Sequence, residues 1–366
     1  MKVVVFTADE ANGGVKQLVL SITRTCARLG YETYVLFPKD KNIDIDSDVR
    51  KHVIWYEKAK SLNPYNEKAK KAARLVNEIC PDVVIMPEDS IFSMQVMAFL
   101  SNKIKKGFII HDVNPHPSNM GLRKRITHYV STAMRRIGLN TTDKVVLLSK
   151  NSYNRFLNRY PNIKEKALIY TLGAHIPYTG GFINKPIELS EDYRKGFALF
   201  FGRIDKYKGV DRLVRTFKEI TENKTEEIPL IIAGKGILDD ISKEIILKGE
   251  SILLLNRFIN DAEMIWLFKN CKFVVLPYTE ASQSGILPIA YAFGKPVIAS
   301  NIQGLCENVD HGKTGLLVNN DAELKDALSM YLKGDLSEEA GCCLKYSNEK
   351  YNWEKNTQVL IEEIMR

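Results

Sequence analysis

The sequence predicts an α/β protein of two domains, each built on a parallel β-sheet with helices on both faces. With 366 residues, the chain is too long for one ordinary domain and long enough for two. Short apolar runs alternate with longer helical segments, which is the pattern of parallel strands joined by covering helices. A segment rich in Gly, Pro and charged residues at 171–196 interrupts this alternation, which then starts again. We therefore expect a linker there.

The first half opens with a βαβ unit. A strand at Val3–Phe6 leads through a polar glycine loop at 9–14 into an amphipathic helix that ends near Leu29, and a second strand follows at Thr33–Phe37. Further strands of this half are expected within 81–87, 107–113 and 144–149. The first half therefore reads as a Rossmann-like domain.

The second half repeats this architecture without a residue-level repeat. Its strands are expected within 197–202, 229–234, 252–257, 272–278, 296–300 and 315–318. In Rossmann-like sheets, ligands bind beyond the carboxyl ends of the strands. Two such domains facing each other would enclose a central cleft lined by strand-to-helix loops.

Composition narrows the class of protein. The 45% hydrophobic and 26% charged residues are typical of a folded globular chain rather than a disordered one. The amino-terminal apolar run is too short for a signal peptide, and no segment offers the ~18 apolar residues of a membrane span, so we expect a cytoplasmic protein. The six cysteines are scattered without a C-x-x-C pair, which favours reduced thiols over a zinc site.

The net charge of +8 is compatible with phosphate-bearing ligands, an anionic membrane surface or nucleic acid. Within "FFGRIDKYKGVDRL", Arg203 and Lys208 follow an expected strand that ends at Gly202. A planar guanidinium and a flexible ammonium together suit a diphosphate, whose charge is spread over several oxygens. The alternative interpretation is a solvated basic loop.

Two features of the first half complete the candidate site. The pair Gly13-Gly14 would let the backbone approach an anion at the start of the following helix, although a plain turn explains it equally well. His111 in "IIHDVNPHP" stands at the carboxyl end of an expected strand and could reach a ligand, or it could be structural.

The order of motifs then becomes specific. "GGV", a strand-end "HD", "FGRIDKYKGVDRL", "CKFVVLPYTEASQSGILPIAYAFGKPVIAS" and "GLCENVDHGKTGLLV" together resemble the retaining, GT-B-fold glycosyltransferases of family 4, in the branch common among bacterial surface-polysaccharide enzymes. The resemblance implies an acceptor-binding domain at 1–180 and a nucleotide-sugar domain at 181–346. It also implies a carboxyl-terminal helix at 347–366 that returns to the first domain.

The resemblance also implies roles for residues. Arg203 and Lys208 would bind the diphosphate, and His111 would lie near the transferred sugar. The remaining donor-binding residues would be Gly13, Gly14, Gly202, Arg257, Phe258, Ile259, Glu280, Ser282, Gln283, Ser284, Gly285 and Glu307. Arg257-Phe258-Ile259 matches the segment where relatives hold the base.

One departure from the family pattern concerns its paired glutamates. Counting back from Gly294 places Ile289 where the second glutamate should be and Ala281 where the first should be, with Glu280 one place away. Relatives use the second carboxylate mainly on the donor ribose. Ser282, Gln283 and Ser284 would replace the sugar contacts of the first.

The resemblance implies sugar transfer with retention, without a metal or cofactor, from a UDP- or GDP-sugar. Charge stabilisation would then do most of the catalytic work, and no enzymic nucleophile is needed. The segment "DIDSD" at 44–48 imitates a metal-binding D-x-D motif but lacks a supporting apolar strand, so we interpret it as a solvated turn.

The acceptor is expected to be a glycan or a polyprenyl-linked glycan at the inner membrane face. The segment 120–138 would form a basic amphipathic helix suited to peripheral membrane docking, or an ordinary core helix with charged flanks. Its basic residues are Arg123, Lys124, Arg125, Arg135 and Arg136. No nucleic-acid-binding motif accompanies the charge.

Two other functions remain open from the sequence. A catalytically silent GT-B subunit that binds a partner is favoured by Ile289 and disfavoured by the retained Arg203 and Lys208. A nucleotide-sugar epimerase on the same fold would need acid/base carboxylates, for which no motif is found.

Overall fold

The chain folds into two compact units, each containing one sheet. The computed structural model describes residues 1–7, 14–39, 53–58, 63, 65–88, 90–111, 113, 132, 134–136, 138–177, 179, 181–189, 193, 196–221, 228–281 and 284–366. The first unit comprises Met1–Gly173 and Asn352–Arg366, and the second comprises Ala174–Tyr351. All strand pairs of both sheets are parallel, which confirms the predicted α/β class.

The first unit holds a seven-stranded sheet. Its strands are β1 (Lys2–Phe6), β2 (Glu32–Pro38), β3 (Val53–Tyr56), β4 (Val83–Met86), β5 (Lys105–Ile110), β6 (Lys144–Leu147) and β7 (Ala167–Ile169), in the order β3-β2-β1-β4-β5-β6-β7. Its helices are α1 (Gly14–Arg28), α2 (Glu67–Ile79), α3 (Ile91–Ala98) and α4 (Lys150–Arg159), followed by a 3-10 turn at Pro161–Lys166.

The strands of this sheet are continuous apolar runs because both faces are covered. Val4 and Phe6 of β1 point into one hydrophobic cluster, whereas Val3 and Val5 point into the other. All four side chains are fully buried. Since successive side chains alternate between faces, only a sheet packed on both sides buries every position.

The second unit holds a six-stranded sheet in the order β10-β9-β8-β11-β12-β13. Its strands are β8 (Ala198–Phe201), β9 (Leu230–Ala233), β10 (Ile252–Leu255), β11 (Phe273–Leu276), β12 (Val297–Ser300) and β13 (Gly315–Val318). Its helices are α5 (Val210–Thr221), α6 (Asp240–Lys248), α7 (Asp261–Asn270), α8 (Ile286–Ala292), α9 (Asp321–Lys333) and α10 (Ser337–Lys350), with 3-10 turns at Lys206–Lys208 and Cys306–Asn308.

The last helix, α11 (Trp353–Met365), belongs to the first unit. The Ile364 side chain lies directly over Gly107 of β5, where a Cβ atom would overlap it. The Tyr170 hydroxyl is hydrogen-bonded to Thr357 at 3.0 Å in the buried layer beneath the helix. Close backbone approach at a glycine and a buried polar contact therefore fix the carboxyl terminus on the first sheet.

Candidate functional site

The candidate site of the second unit lies where its strand order reverses direction. The chain passes from β8 outward to β9 and β10, returns to β11 beside β8, and then continues to β12 and β13 on the other side. The loops that follow β8 and β11 therefore lie side by side at the carboxyl edge of the sheet, at the kind of reversal point where ligands bind in open α/β sheets. Residues 202–208 follow β8 and residues 277–285 follow β11, so the fold brings these two predicted segments together.

Lys208 is the central cation of this edge. Its Nζ atom lies 3.6 Å from the centroid of the Tyr278 ring and 5.1 Å from that of Tyr207. Burial lowers the pKa of Lys208 to about 8, the charge of Arg203 acts in the same direction, and Asp205 opposes both. Among the described residues no oxygen accepts a hydrogen bond from this ammonium and no carboxylate pairs with it. An anionic ligand at this position would accept hydrogen bonds from the Lys208 ammonium and balance its charge.

Arg203 supplies a second positive charge nearby. Its side chain is 75% exposed, and its Nη1 atom lies 3.4 Å from the Asp205 carboxylate. Its Nη2 atom donates a hydrogen bond to the Tyr207 hydroxyl at 3.3 Å. An exposed ion pair of this kind contributes little to stability. The guanidinium therefore remains available to a phosphate group.

Glycines allow the strand ends to meet at this edge. Gly202 has φ +130°, and a Cβ atom on Gly234 would overlap the Gly202 carbonyl oxygen. Gly209 has φ +67°, and a Cβ atom there would overlap the Pro277 carbonyl oxygen. The left-handed region favours glycine, so both approaches depend on its missing side chain. The Thr279 amide donates to the Tyr207 carbonyl oxygen at 2.8 Å, which joins the two loops further.

The loop between β11 and α8 contains the predicted sugar-binding residues. Glu280 and Gly285 are exposed, and Ser284 is half-buried with its Oγ atom accepting from the Ile286 amide at 3.3 Å. Ser282 and Gln283 lie outside the described residues. Helix α8 has only seven residues, which is a short source of anion-binding amides.

Two further predicted positions differ in exposure. Ile289, which stands where relatives carry the second glutamate, is 6% exposed and packs in the hydrophobic core. An isolated carboxylate would be costly in that environment. Glu307, in the 3-10 turn after β12, is exposed.

Arg257 of the predicted base-binding segment is occupied by two carboxylates. Its guanidinium makes paired contacts with Glu188 at 2.6 and 2.8 Å and with Glu263 at 2.7 and 2.8 Å. These hydrogen bonds hold the pKa of both carboxyl groups below the usual range. Arg257 also donates to the Phe258 carbonyl oxygen at 3.1 Å. It therefore shapes the loop after β10.

The apolar residues of this loop divide between core and solvent. The Phe258 ring is 79% exposed, whereas Ile259 is 7% exposed. The neighbouring loop after β9 carries Ile237, which is 83% exposed. Asn256 joins the two loops through a pair of hydrogen bonds with the Gly236 backbone at 3.0 and 3.1 Å. Two exposed apolar side chains on adjacent, rigid strand ends are suited to a planar base.

Sequence reasoning did not identify Ile237, Tyr278 or Glu188 as parts of this edge. Tyr278 is the last residue of the predicted segment 272–278, and Ile237 lies three residues after the predicted segment 229–234, so closeness to a strand end was the available signal. Glu188 lies in the irregular segment before β8, with no local pattern to mark it. Its role depends on a contact with Arg257, which lies 69 residues later in the sequence.

In the first unit, His111 stands at the end of β5, half-buried. Its Nε2 atom lies 2.6 Å from the Pro87 carbonyl oxygen. Because a carbonyl only accepts hydrogen bonds, Nε2 carries the proton, and in the neutral ring Nδ1 is the acceptor. Helix α1 begins at Gly14, the last residue of the predicted glycine loop, while Gly13 lies outside the described residues.

Glu88, which sequence reasoning missed, is a buried carboxylate at the carboxyl edge of the first sheet. Its Oε2 atom accepts from Thr7 after β1 at 3.0 Å, and its Oε1 atom accepts from Ser93 at 2.8 Å. The Tyr56 hydroxyl donates to the Thr7 carbonyl oxygen at 2.6 Å. Since β1 and β4 are adjacent, this network ties together the strand ends at the reversal point of the first sheet.

The basic segment is described only in part. Arg123, Lys124 and Arg125 lie outside the described residues, and Arg136 is exposed. Arg135 is 7% exposed and donates to the Val113 carbonyl oxygen at 3.2 Å. The prediction that Arg135 belongs to an exposed basic face is therefore wrong, because its side chain is buried, as is that of the neighbouring Met134.

No helix in the described ranges is both long and apolar enough to span a membrane. Among the same residues, no group of three His, Cys, Asp or Glu side chains is placed to hold a metal ion. The segment 44–48, expected to be a solvated turn, lies outside the described part of the chain.

Comparison with known families matches each half of the chain. Residues 12–170 match the family model described as Glycosyltransferase Family 4, and residues 196–333 match that of Glycosyl transferases group 1.

Individual proteins show the same similarity. An uncharacterised glycosyltransferase of Methanocaldococcus jannaschii is 31% identical over 58% of this chain, which spans 57% of that protein's length. The O-antigen chain mannosyltransferase C of Escherichia coli is 23% identical over 79% of this chain and 76% of its own. The crystal structure of Anabaena Alr3699/HepE in complex with UDP has a TM-score of 0.71 at 15% identity, covering 99% of each chain. At that identity the structural similarity establishes the fold.

Proposed function

The chain belongs to the group 1 and family 4 glycosyltransferases, and from this membership we propose that it transfers a sugar from a nucleotide-diphosphate sugar to a hydroxyl group of a glycan acceptor. One observation carries the proposal. The half-buried Lys208 ammonium stands at the reversal point of the second sheet beside Arg203, with no counter-ion of its own among the described residues. This is the charge that a departing diphosphate requires.

The proposed reaction proceeds with retention. The bond between the anomeric carbon and the diphosphate oxygen breaks, and its electron pair leaves with the nucleoside diphosphate. Lys208 and Arg203 stabilise the negative charge that develops there. The acceptor hydroxyl then forms the new bond on the same face of the sugar, and its proton passes to the departing phosphate oxygen. The proposal assigns this stabilisation to the two side chains and calls for no metal ion or cofactor.

The remaining donor contacts follow from the loops at the same edge. Phe258 would stack on the base, with the Ile259 backbone nearby, and Arg257 would hold that loop in shape. Glu280, Ser284, Gly285 and Glu307 would face the sugar and diphosphate, together with Gly13, Gly14, Gly202, Ser282, Gln283 and His111 from their respective loops. We propose a UDP- or GDP-sugar as donor, and the solved structure of HepE with UDP supports that class.

The acceptor is proposed to be a glycan or a polyprenyl-linked glycan of a surface polysaccharide, at the inner face of the cytoplasmic membrane. The similarity to an O-antigen mannosyltransferase supports this class. Arg123, Lys124, Arg125 and the exposed Arg136 would attract the anionic membrane surface.

A second candidate function is a catalytically silent subunit. The observation that favours it is the apolar burial of Ile289 at the position of the family's second glutamate. Such a protein would bind the nucleotide or a partner without turning over the donor.

The proposal is tested by measuring release of nucleoside diphosphate from UDP- and GDP-sugars, with and without lipid-linked glycan acceptors. Turnover with one donor is expected, and NMR of the product should show the anomeric configuration of the donor. Lys208→Ala should reduce turnover at least a hundredfold, since losing a preorganised donor commonly costs about that much. Lys206→Ala is the matched control, because Lys206 is an exposed lysine of the same 3-10 turn. Turnover in none of the reactions, with nucleotide binding intact, would favour the silent subunit.

A further inference from the structure

We propose that Tyr278 is a positioning residue for the donor diphosphate, because the face of its ring holds the Lys208 ammonium in place through a cation–π contact. The inference rests on the proposed function, in which Lys208 binds the diphosphate. It adds a residue that does not itself touch the donor but determines where the positive charge stands.

The geometry of the pair is that of a close cation–π contact. The Lys208 Nζ atom lies 3.6 Å from the Tyr278 ring centroid, well inside the ~6 Å range over which such contacts act. Tyr278 is 1% exposed and lies within the core cluster of the second unit, so its ring cannot turn away from the ammonium. The more distant Tyr207 ring, at 5.1 Å, is half-buried.

The backbone around the pair is equally restricted. Gly209 follows Lys208 directly and packs against the carbonyl group of Pro277, which directly precedes Tyr278. The Tyr207 carbonyl oxygen accepts from the Thr279 amide at 2.8 Å. The two loops therefore cannot move apart without breaking these contacts, and the ring and the ammonium keep their relative position.

A ring face suits this position better than a carboxylate would. The negative face of an aromatic ring attracts the ammonium without neutralising it, and it needs no directed N–H bond. Within the part of the chain that the structure describes, the N–H donors of Lys208 thus remain free for phosphate oxygens. Asp205, the carboxylate that raises the pKa of Lys208, is paired with Arg203 at 3.4 Å. The cation is therefore held in position while its charge stays available to the donor.

The test distinguishes an electronic effect of the Tyr278 ring on Lys208 from an effect of the ring's size and shape. Position 278 is substituted with Phe and then, by incorporation of synthetic amino acids, with mono- and trifluorinated Phe, whose rings attract cations progressively less at nearly constant size. Binding of UDP, GDP and ADP is measured by calorimetry, and the melting temperature without ligand is recorded as the folding control. Lys208→Ala is measured in parallel.

The expected result is a graded loss of affinity. Tyr278→Phe should bind the preferred nucleotide within about twofold of the wild type, and the trifluorinated ring should bind it about tenfold more weakly, within the range of a desolvated cation–π contact. The pH midpoint at which nucleotide binding is lost should also decrease from the wild type to the trifluorinated variant. A weaker ring stabilises the ammonium less and lowers the pKa of Lys208, and a merely structural role would not move this midpoint.

The contrary outcomes are of two kinds: those that overturn the role of Tyr278 alone, and those that overturn the proposed function with it. Equal affinity across the fluorinated series, with Lys208→Ala still binding poorly, would overturn the role of Tyr278 and leave the proposed function standing. A loss already complete in Tyr278→Phe would overturn it too, because the hydroxyl rather than the ring would then matter. If the wild type bound none of the three nucleotides, or Lys208→Ala bound as well as the wild type, the diphosphate assignment of Lys208 and this inference would fall together.

Discussion

The lowered pKa of Lys208 predicts that nucleotide binding weakens as pH rises through about 8. Lysine usually titrates near 10.4, so ordinary surface lysines remain charged over this range. If only the ammonium form binds the diphosphate, the apparent dissociation constant is the intrinsic value divided by the charged fraction. That fraction falls from about nine-tenths at pH ~7 to about one-tenth at pH ~9 for a pKa near 8. Affinity should therefore fall about tenfold.

Calorimetric titration of the preferred nucleoside diphosphate at several pH values measures this dependence. Lys208→Arg is the matched control, because a guanidinium stays charged throughout the range. Its affinity should be lower overall but nearly independent of pH. A flat profile for the wild type, or the same slope in Lys208→Arg, would refute the assignment of the slope to Lys208.

Three further predictions concern other parts of the account. Gly209→Ala should lower the free energy of unfolding in urea by about 2 kcal/mol or more. The left-handed conformation alone costs ~1–2 kcal/mol, and the new Cβ atom overlaps Pro277. An unchanged midpoint of urea unfolding would contradict this packing. Phe258→Ala should weaken nucleotide binding by a factor of about 5 to 150 by removing ~1–3 kcal/mol of base stacking. Leu247→Ala, at an exposed apolar residue of α6, should not weaken it, and equal effects would remove the base assignment. Replacing the three basic residues at 123–125 with Ala should reduce binding to anionic vesicles in a sedimentation assay by an order of magnitude or more, at ~1 kcal/mol per charge, and unchanged binding would exclude membrane docking by this segment.

Most strands could be predicted from sequence because both faces of each sheet are covered. A strand buried on both faces is a continuous apolar run, such as Phe273–Leu276, and such runs stand out between helical segments. The two strands that the sequence did not reveal, β3 and β7, lie at the edges of the first sheet. There they have one neighbour only, and β7 has three residues without a fully buried side chain.

The chemistry of the site was only partly predictable, for a physical reason. Arg203 and Lys208 could be singled out because they lie in the segment between a recognisable strand and the following helix. The contact of Lys208 with Tyr278 depends on β8 and β11 being neighbours in the sheet, which no local pattern encodes. The same holds for the pairing of Arg257 with Glu188, which joins residues 69 positions apart in the sequence.

The burial of Arg135 shows a further limit of local reasoning. Helical spacing groups it with other basic residues in the sequence, but spacing alone does not say which side of a helix faces the core. The Val113 carbonyl oxygen, on the loop after β5, accepts from the Arg135 guanidinium at 3.2 Å and makes burial of that charged group tolerable. Only the tertiary structure supplies this acceptor.

The most direct test of the central claim is thermal unfolding of the purified protein with UDP, GDP, ADP and their sugar conjugates. A ligand at ~100 times its dissociation constant stabilises the folded state by about 2.7 kcal/mol, which should raise the melting temperature by several degrees. We expect this shift with the nucleotides of one base, and its loss in Lys208→Ala. No shift with any of these ligands at millimolar concentration, in a well-folded sample, would contradict a nucleotide-sugar site at the carboxyl edge of the second sheet.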